Sequence, residues 1–142
     1  MFIAVEQKGG YGRFGRKFFS PPGGLWFSLF IPQRKNEFSA DLAIKVASYI
    51  KKRLNKKFHL HLKTKKPNDI ISSDGRKLAG ILVTKIFKGL IPQGAIIGVG
   101  LNVNNDTDFD AVDAVSLAEL LGKTVPLEEA LEVCLQSIAD IV

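Results

Sequence analysis

Cysteine is almost absent. The 142 residues include one, Cys134, with one methionine and one tryptophan. A lone cysteine excludes an intrachain disulfide framework and a multi-cysteine zinc site. With no oxidising signature, the cytoplasm is the simplest compartment. Long apolar runs are missing too, and none approaches the ~20 residues of a membrane-spanning helix. The opening MFIAVEQKGG has neither a charged start nor a long apolar core, so it does not read as a signal peptide, and no membrane partner is expected. There is no internal repeat, low-complexity tract or linker. Acidic residues are scarce in the first half: residues 1–70 hold 15 Lys/Arg against 4 Asp/Glu, whereas residues 71–142 hold 5 against 10. The basic half points to an anionic partner such as a nucleotide, a nucleic acid or an acidic protein. For Lys51, Lys52, Arg53, Lys56 and Lys57 the plainer reading is a solvated helix end, where cations complement the dipole.

What is present is an ordinary globular balance, with 46% hydrophobic and 24% charged residues. A chain of this length buries roughly 68–70% of its unfolded surface, so it needs no metal or disulfide to fold. One domain over residues 1–142 is the expectation. Phe2 to Gln7 reads as a short buried strand, and residues 8–24 as a glycine-rich basic loop. Leu25 to Ile31 reads as an aromatic strand ended by Pro32. Ser39 is positioned to cap a helix to about Asn55, with Ala43, Val46, Ala47, Ile50 and Leu54 as one apolar stripe. Phe58, Leu60 and Leu62 alternate with His59 and His61 as in a half-buried strand. After the loop KKPNDII and the turn SSDGRK, strands are expected at Lys77 to Phe87 and Ala95 to Val103. Ser116 and Glu119 spell a capping box for a short helix ending at Gly122, and Pro126 opens the last helix. The class is α+β, a mixed or antiparallel sheet with helices on one side.

Gly10-Tyr11-Gly12-Arg13-Phe14-Gly15 has the form G-x-G-x-x-G after a strand. A dinucleotide-binding loop must open a helix whose N-terminus holds the pyrophosphate. Here Pro21-Pro22-Gly23-Gly24 follows, which no helix can run through. The loop still suits an anion: glycines admit close backbone approach, and Arg13, Arg16 and Lys17 add charge. The alternative is a glycine-rich hairpin with solvated cations.

GGYGRFGRKFFSPPGGLWFSLF, KKPNDIISSDGRKLAGILV and IGVGLNVN, in that order, resemble the catalytic domain of biotin protein ligases. That family shows a Gly-Arg-rich loop leading to Ser-Pro-x-Gly-Gly-Leu, then Lys-Trp-Pro-Asn-Asp, Lys-Leu-x-Gly-Ile-Leu and Gly-x-Gly-x-Asn. The resemblance implies the class II synthetase-like biotin/lipoate ligase fold and a two-step reaction. Biotin and ATP, with Mg²⁺, give biotinoyl-AMP, and the acyl group passes to a lysine of a biotin carboxyl carrier protein. It also implies roles. Lys77 becomes the catalytic cation and Arg13 the loop arginine on the adenylate. Gln7 is matched to the biotin head group, and Asn68 and Asp69 fall near the nucleotide. Gly80 lies by the biotin ring, and Gly98, Gly100 and Asn102 line the nucleotide side. Gly10, Gly12 and Arg16 complete the loop, and Phe18 stands for a usual tryptophan. No protein metal site is implied.

Four departures stand out. The family's Ser-Thr-Asn segment would fall about twenty residues before Gln7, ahead of Met1, so the match is to a partial catalytic domain. Tyr11 replaces a loop arginine. Lys66 replaces the tryptophan of Lys-Trp-Pro-Asn-Asp, which is costly if buried. Thr84 stands where a glutamate is frequent. No helix-turn-helix or C-terminal β-barrel pattern is seen, so no DNA partner is expected, and a homodimer through a sheet edge is. Lipoate ligation and a noncatalytic module holding an acidic partner are the alternatives. His59 and His61 lack a third ligand nearby, and Asp106, Asp108 and Asp110 lack the glycine and glutamate of a calcium loop. Cys134, with Leu131, Leu135 and Ile138, reads as core.

Overall fold

The computed structural model describes residues 1–33 and 38–142. In chain order the elements are β1 (Phe2–Ala4), β2 (Leu25–Pro32), α1 (Leu42–Phe58), β3 (Lys63–Lys65), β4 (Asp69–Ile71), β5 (Lys77–Lys88), β6 (Ile91–Leu101), β7 (Asp108–Phe109), β8 (Val112–Asp113), α2 (Leu117–Leu121) and α3 (Leu127–Ala139). Six strands form one sheet in the order β1-β2-β6-β5-β4-β3, every neighbour antiparallel, while β7 and β8 make a separate ribbon. The expected α+β class holds, with the sheet antiparallel throughout.

Strand periodicity divides the sheet into two faces. Leu25 and Phe27 of β2, Ala79 and Ile81 of β5, and Ile97, Val99 and Leu101 of β6 join one core with the helices. The α1 stripe Val46, Ala47, Ile50 and Leu54 is fully buried there, as are Ala130, Cys134 and Ile138 of α3. Burial pushes the Cys134 thiol pKa up to about 12. The sequence's charge asymmetry is partly spent between these helices: Arg53 of α1 meets Asp140 at 2.6 Å, and Lys57 meets Glu129 at 3.5 Å. Such exposed pairs contribute little to stability, but they account for part of the basic helix end.

Several local expectations change. The first strand is short as expected but stops at Ala4 rather than Gln7 and is not buried: β1 is an edge strand, and Phe2 is 84% exposed because β2 is its one sheet neighbour. The cap of α1 is Asp41 rather than Ser39. The Ser39 carbonyl accepts the Leu42 N–H, while the Ser39 hydroxyl, donating to the Asp41 carboxylate, together with Lys45 holds that carboxyl below its ordinary range. No strand forms over residues 58–62. The helix runs on to Phe58, His59 turns left-handed at φ 54°, and Asn55 takes both backbone groups of Leu62, so that segment has no need of a sheet neighbour. β6 begins at Ile91 rather than Ala95. Pro92 is tolerated beside a register shift at Ile86/Phe87, where the ladder does not need its missing N–H. β2 likewise runs through Pro32 as its last residue, opposite Gly94. The Ser116 hydroxyl does accept the Glu119 N–H, and Gly122 closes α2 at φ 69°. Pro126 lies one residue before α3.

Candidate functional site

The glycine loop is a hairpin. The Gln7 N–H donates to the Ser20 carbonyl at 2.9 Å, Phe18 to Gly10 at 2.9 Å and Gly12 to Arg16 at 2.7 Å, with Tyr11 bridging Lys17. Its tip is one 3₁₀ turn, Arg13–Gly15, where Phe14 takes φ 58° and Gly15 φ 70°. The strand therefore feeds an antiparallel ribbon, and the G-x-G-x-x-G pattern serves a turn. The ribbon's base is pinned from below: the Trp26 Nε1–H donates to the Pro21 carbonyl at 2.9 Å.

The ribbon lies over the helix-free face of the sheet. Pairing sets Trp26, Gly100, Gly80 and Asp69 in one row across β2, β6, β5 and β4. The Phe18 ring rests on the two glycines at the row's centre. A Cβ on Gly100 would come within 2.4 Å of that ring, and one on Gly80 within 3.0 Å, so the floor requires glycine here. The ring also meets Trp26 edge-on, centroids 6.0 Å apart.

Lys77 opens β5 beside this floor. Its Nζ stands 3.0 Å from Asp69 Oδ1 and 5.4 Å from the Phe18 centroid. The Asp69 oxygen is shut off from solvent and has no aligned hydrogen bond, so the ammonium is its partner by charge alone. Asn68 is spent on the backbone: its Nδ2 donates to the Ile81 carbonyl at 2.8 Å, while its own carbonyl accepts the Ile81 N–H. The preceding Lys66–Pro67 peptide is cis, and Lys66 is exposed. The cost of a buried lysine therefore does not arise.

Ribbon and sheet enclose a cleft of about 610 Å³. Gln7, Gly10, Gly12, Arg13, Arg16, Phe18, Asn68, Asp69, Lys77, Gly80, Gly98 and Gly100 all line it. Asn102 does not. It is 5% exposed, its Nδ2 donates to the Lys77 carbonyl at 3.3 Å, and its Oδ1 accepts from Asn105 at 3.0 Å. It lines instead a neighbouring cavity of about 40 Å³ with Lys17, Phe19, Lys77 and Phe109. Gly80 and Gly100, assigned to different ligands by the resemblance, are direct partners under one ring. Tyr11 and Thr84, two of the departures, also line the main cleft. So do Ser28 and Leu82, which the sequence reading passed over although they share a face with Gly98. Nothing local marked Phe109, whose ring stacks on Phe19 at 4.9 Å.

The cleft wall carries Arg13, Arg16, Lys17 and Lys77 against one carboxylate, Asp69. Such a surface attracts anions, and low-dielectric walls strengthen each charge. Elsewhere, His59, His61 and Asp106 are exposed, and among the described residues no group of three His, Cys, Asp or Glu could hold a metal. Among them, too, no helix is long and apolar enough to cross a membrane.

Residues 1–102 match the model of the biotin/lipoate A/B protein ligase family. The chain is 30% identical over 131 residues to the bifunctional ligase/repressor BirA of Bacillus subtilis, covering 88% of this chain and 40% of that protein. It superposes with TM-score 0.83 and 29% identity on a biotin protein ligase from Aquifex aeolicus in complex with biotin and ATP, over 97% of this chain and 58% of that one. A biotin protein ligase from Leishmania major in complex with biotinyl-5-AMP gives 0.80 and 26%, over 98% and 62%. The chain thus spans less than half of the curated relative and somewhat more than half of these structures. With a family model that covers most of its length and a matching fold, this chain belongs to the biotin/lipoate A/B protein ligase family.

Proposed function

We propose that residues 1–142 are part of a biotin protein ligase catalytic domain, which joins biotin to AMP and passes the acyl group to a lysine of a carboxyl carrier protein. The observation that carries this is Lys77: its ammonium stands at the cleft floor beneath an arginine-bearing ribbon. In the first step a biotin carboxylate oxygen attacks the α-phosphorus of ATP and pyrophosphate leaves. Lys77, Arg13 and Arg16 offset the charge that gathers there. Gln7 offers an amide to the biotin head group, and Gly80 and Gly100 let the ring system lie against the backbone. In the second step the acceptor amine attacks the acyl carbon and AMP leaves. Between steps the ribbon keeps water from the anhydride.

Mg²⁺ belongs to the proposal as a partner of the phosphates, whose charge it would neutralise. Asp69 supplies the cleft's one carboxylate, and its buried Oδ1 lacks a hydrogen bond. That donor set fits an ion bound by one carboxylate with phosphates and water. A cytoplasmic location agrees with the reduced state expected of Cys134. The β1 edge, with Phe2 and Ile3 open to solvent, supports pairing of two copies through the sheet, which sedimentation would check.

The test is direct. The protein is incubated with radiolabelled biotin, Mg·ATP and a carrier domain, and both free acyl-adenylate and labelled carrier are measured. Formation of both supports the reading. In a parallel reaction with radiolabelled lipoate, labelling from lipoate but not from biotin would move the substrate within the family, and binding of neither acid would defeat the proposal.

A further inference from the structure

The ribbon is fastened at a second place that the chemistry above leaves unused. Phe18 rests on the glycine floor. Phe19, the next residue, stacks on Phe109 of the β7–β8 hairpin, with centroids 4.9 Å apart and planes 12° from parallel. Lys17 Nζ sits 4.6 Å from the Phe19 centroid. The hairpin in turn is tied to the start of β5: Ala114 bridges Lys77, and the Val115 N–H donates to the Lys77 carbonyl at 2.9 Å. Ribbon, hairpin and Lys77 thus close a ring around the small cavity of about 40 Å³. Neither Phe19 nor Phe109 belongs to the central hydrophobic core, and both are only half-buried. Their stack is therefore not needed to hold the sheet and helices together.

We propose that Phe109 is a positioning residue: through Phe19 it clasps the basic ribbon shut over Lys77, so that the acyl-adenylate is retained until the acceptor arrives. This rests on the ligase reading. A stacked pair shifts an open–closed equilibrium by roughly 2- to 12-fold. Loss of the clasp exposes the anhydride to water by that factor and leaves the Lys77 charge in place. The effect is on retention rather than on activation.

The test uses the whole chain as Phe109→Ala, Phe109→Leu and Phe109→Tyr. Leucine keeps apolar bulk without a ring, and tyrosine keeps the ring. Tryptic cleavage after Arg13, Arg16 and Lys17, without ligand, is expected to quicken roughly 2- to 12-fold in the Ala and Leu variants and to return to the parent rate in Tyr, with the circular dichroism spectrum retained in all. With biotin and Mg·ATP, the ratio of adenylate lost to water over carrier labelled is expected to rise by the same factor. Biotin affinity, followed through the single tryptophan Trp26 beside Phe18, stays unchanged. Equal cleavage in all four proteins overturns the clasp. Faster cleavage with an unchanged loss ratio overturns its role in retention. A parent protein that forms no adenylate defeats the ligase reading instead, and the cleavage comparison still decides whether the clasp exists.

Discussion

On the helix side of β5 and β6 stand Ala79, Ile81, Ile97 and Val99; on the cleft side stand Gly80, Leu82, Gly98 and Gly100, the alternate residues of the same two strands. One face is filled with apolar side chains that join one core with residues of α1 and α3. The other is stripped to backbone at three of four positions, so a ring from the ribbon reaches the peptide plane. Interior packing tolerates few voids, so glycines recurring on one face of a central pair mark a face reserved for something other than packing. The helix side carries stability, and the cleft side gives some of it up for access.

Lys77→Ala should break the cleft side most severely. Removal of one charge that stabilises a transition state costs about 10²- to 10³-fold in rate. Biotin-dependent exchange of pyrophosphate into ATP is expected to fall by that much, with the circular dichroism spectrum retained. Next in size is the contrast between neighbours. Ile81 is fully buried, so Ile81→Ala should cost about 2–5 kcal/mol in denaturant unfolding. Leu82→Ala, one residue along on the open face, should cost about 1 kcal/mol. Equal costs would dissolve the distinction between the faces.

Gly100→Ala sharpens it further. The added methyl lands within 2.4 Å of the Phe18 ring, which must leave the floor. Overpacking of this kind costs about 1–3 kcal/mol. Biotin affinity is expected to drop about tenfold, the equivalent of some 1.4 kcal/mol, with a change in Trp26 emission. The smallest effect belongs to the helix side. The Cys134 thiol, held up to about 12 by burial, should react negligibly with a thiol reagent at about pH 8, and fully once the chain is unfolded. Because its folded pKa lies above the unfolded value of about 8.5, the thiol weakens stability only as pH rises beyond that unfolded value. Native reactivity at neutral pH would place Cys134 outside the core.

Much of this was legible from the residues. The α1 stripe, the Ser116–Gly122 helix, the long strand from Lys77 and the failure of the dinucleotide pattern each follow from local chemistry, and each stands in the fold. The segment Phe58–Leu62 shows where locality misleads. Its alternation suits a strand, but Asn55 satisfies its backbone and the helix runs on. Asn102 shows what motif order leaves open, namely which cavity a residue lines. Its motif points to a ligand, yet its amide is bonded to the Lys77 carbonyl and to Asn105, and it lies outside the main cleft.

The sequence alone determined most of the elements, the family and the basic character of the glycine loop, because periodicity, turn chemistry and motif order are written in neighbouring residues. Only the tertiary structure decided that Gly80 and Gly100 lie side by side under Phe18, that Asp69 stands against Lys77, and that Phe19 meets Phe109. Those meetings depend on strand register and on a hairpin folding back some ninety residues later in the chain. Contacts between distant residues are set by the packing of the whole sheet, which no short stretch of sequence encodes.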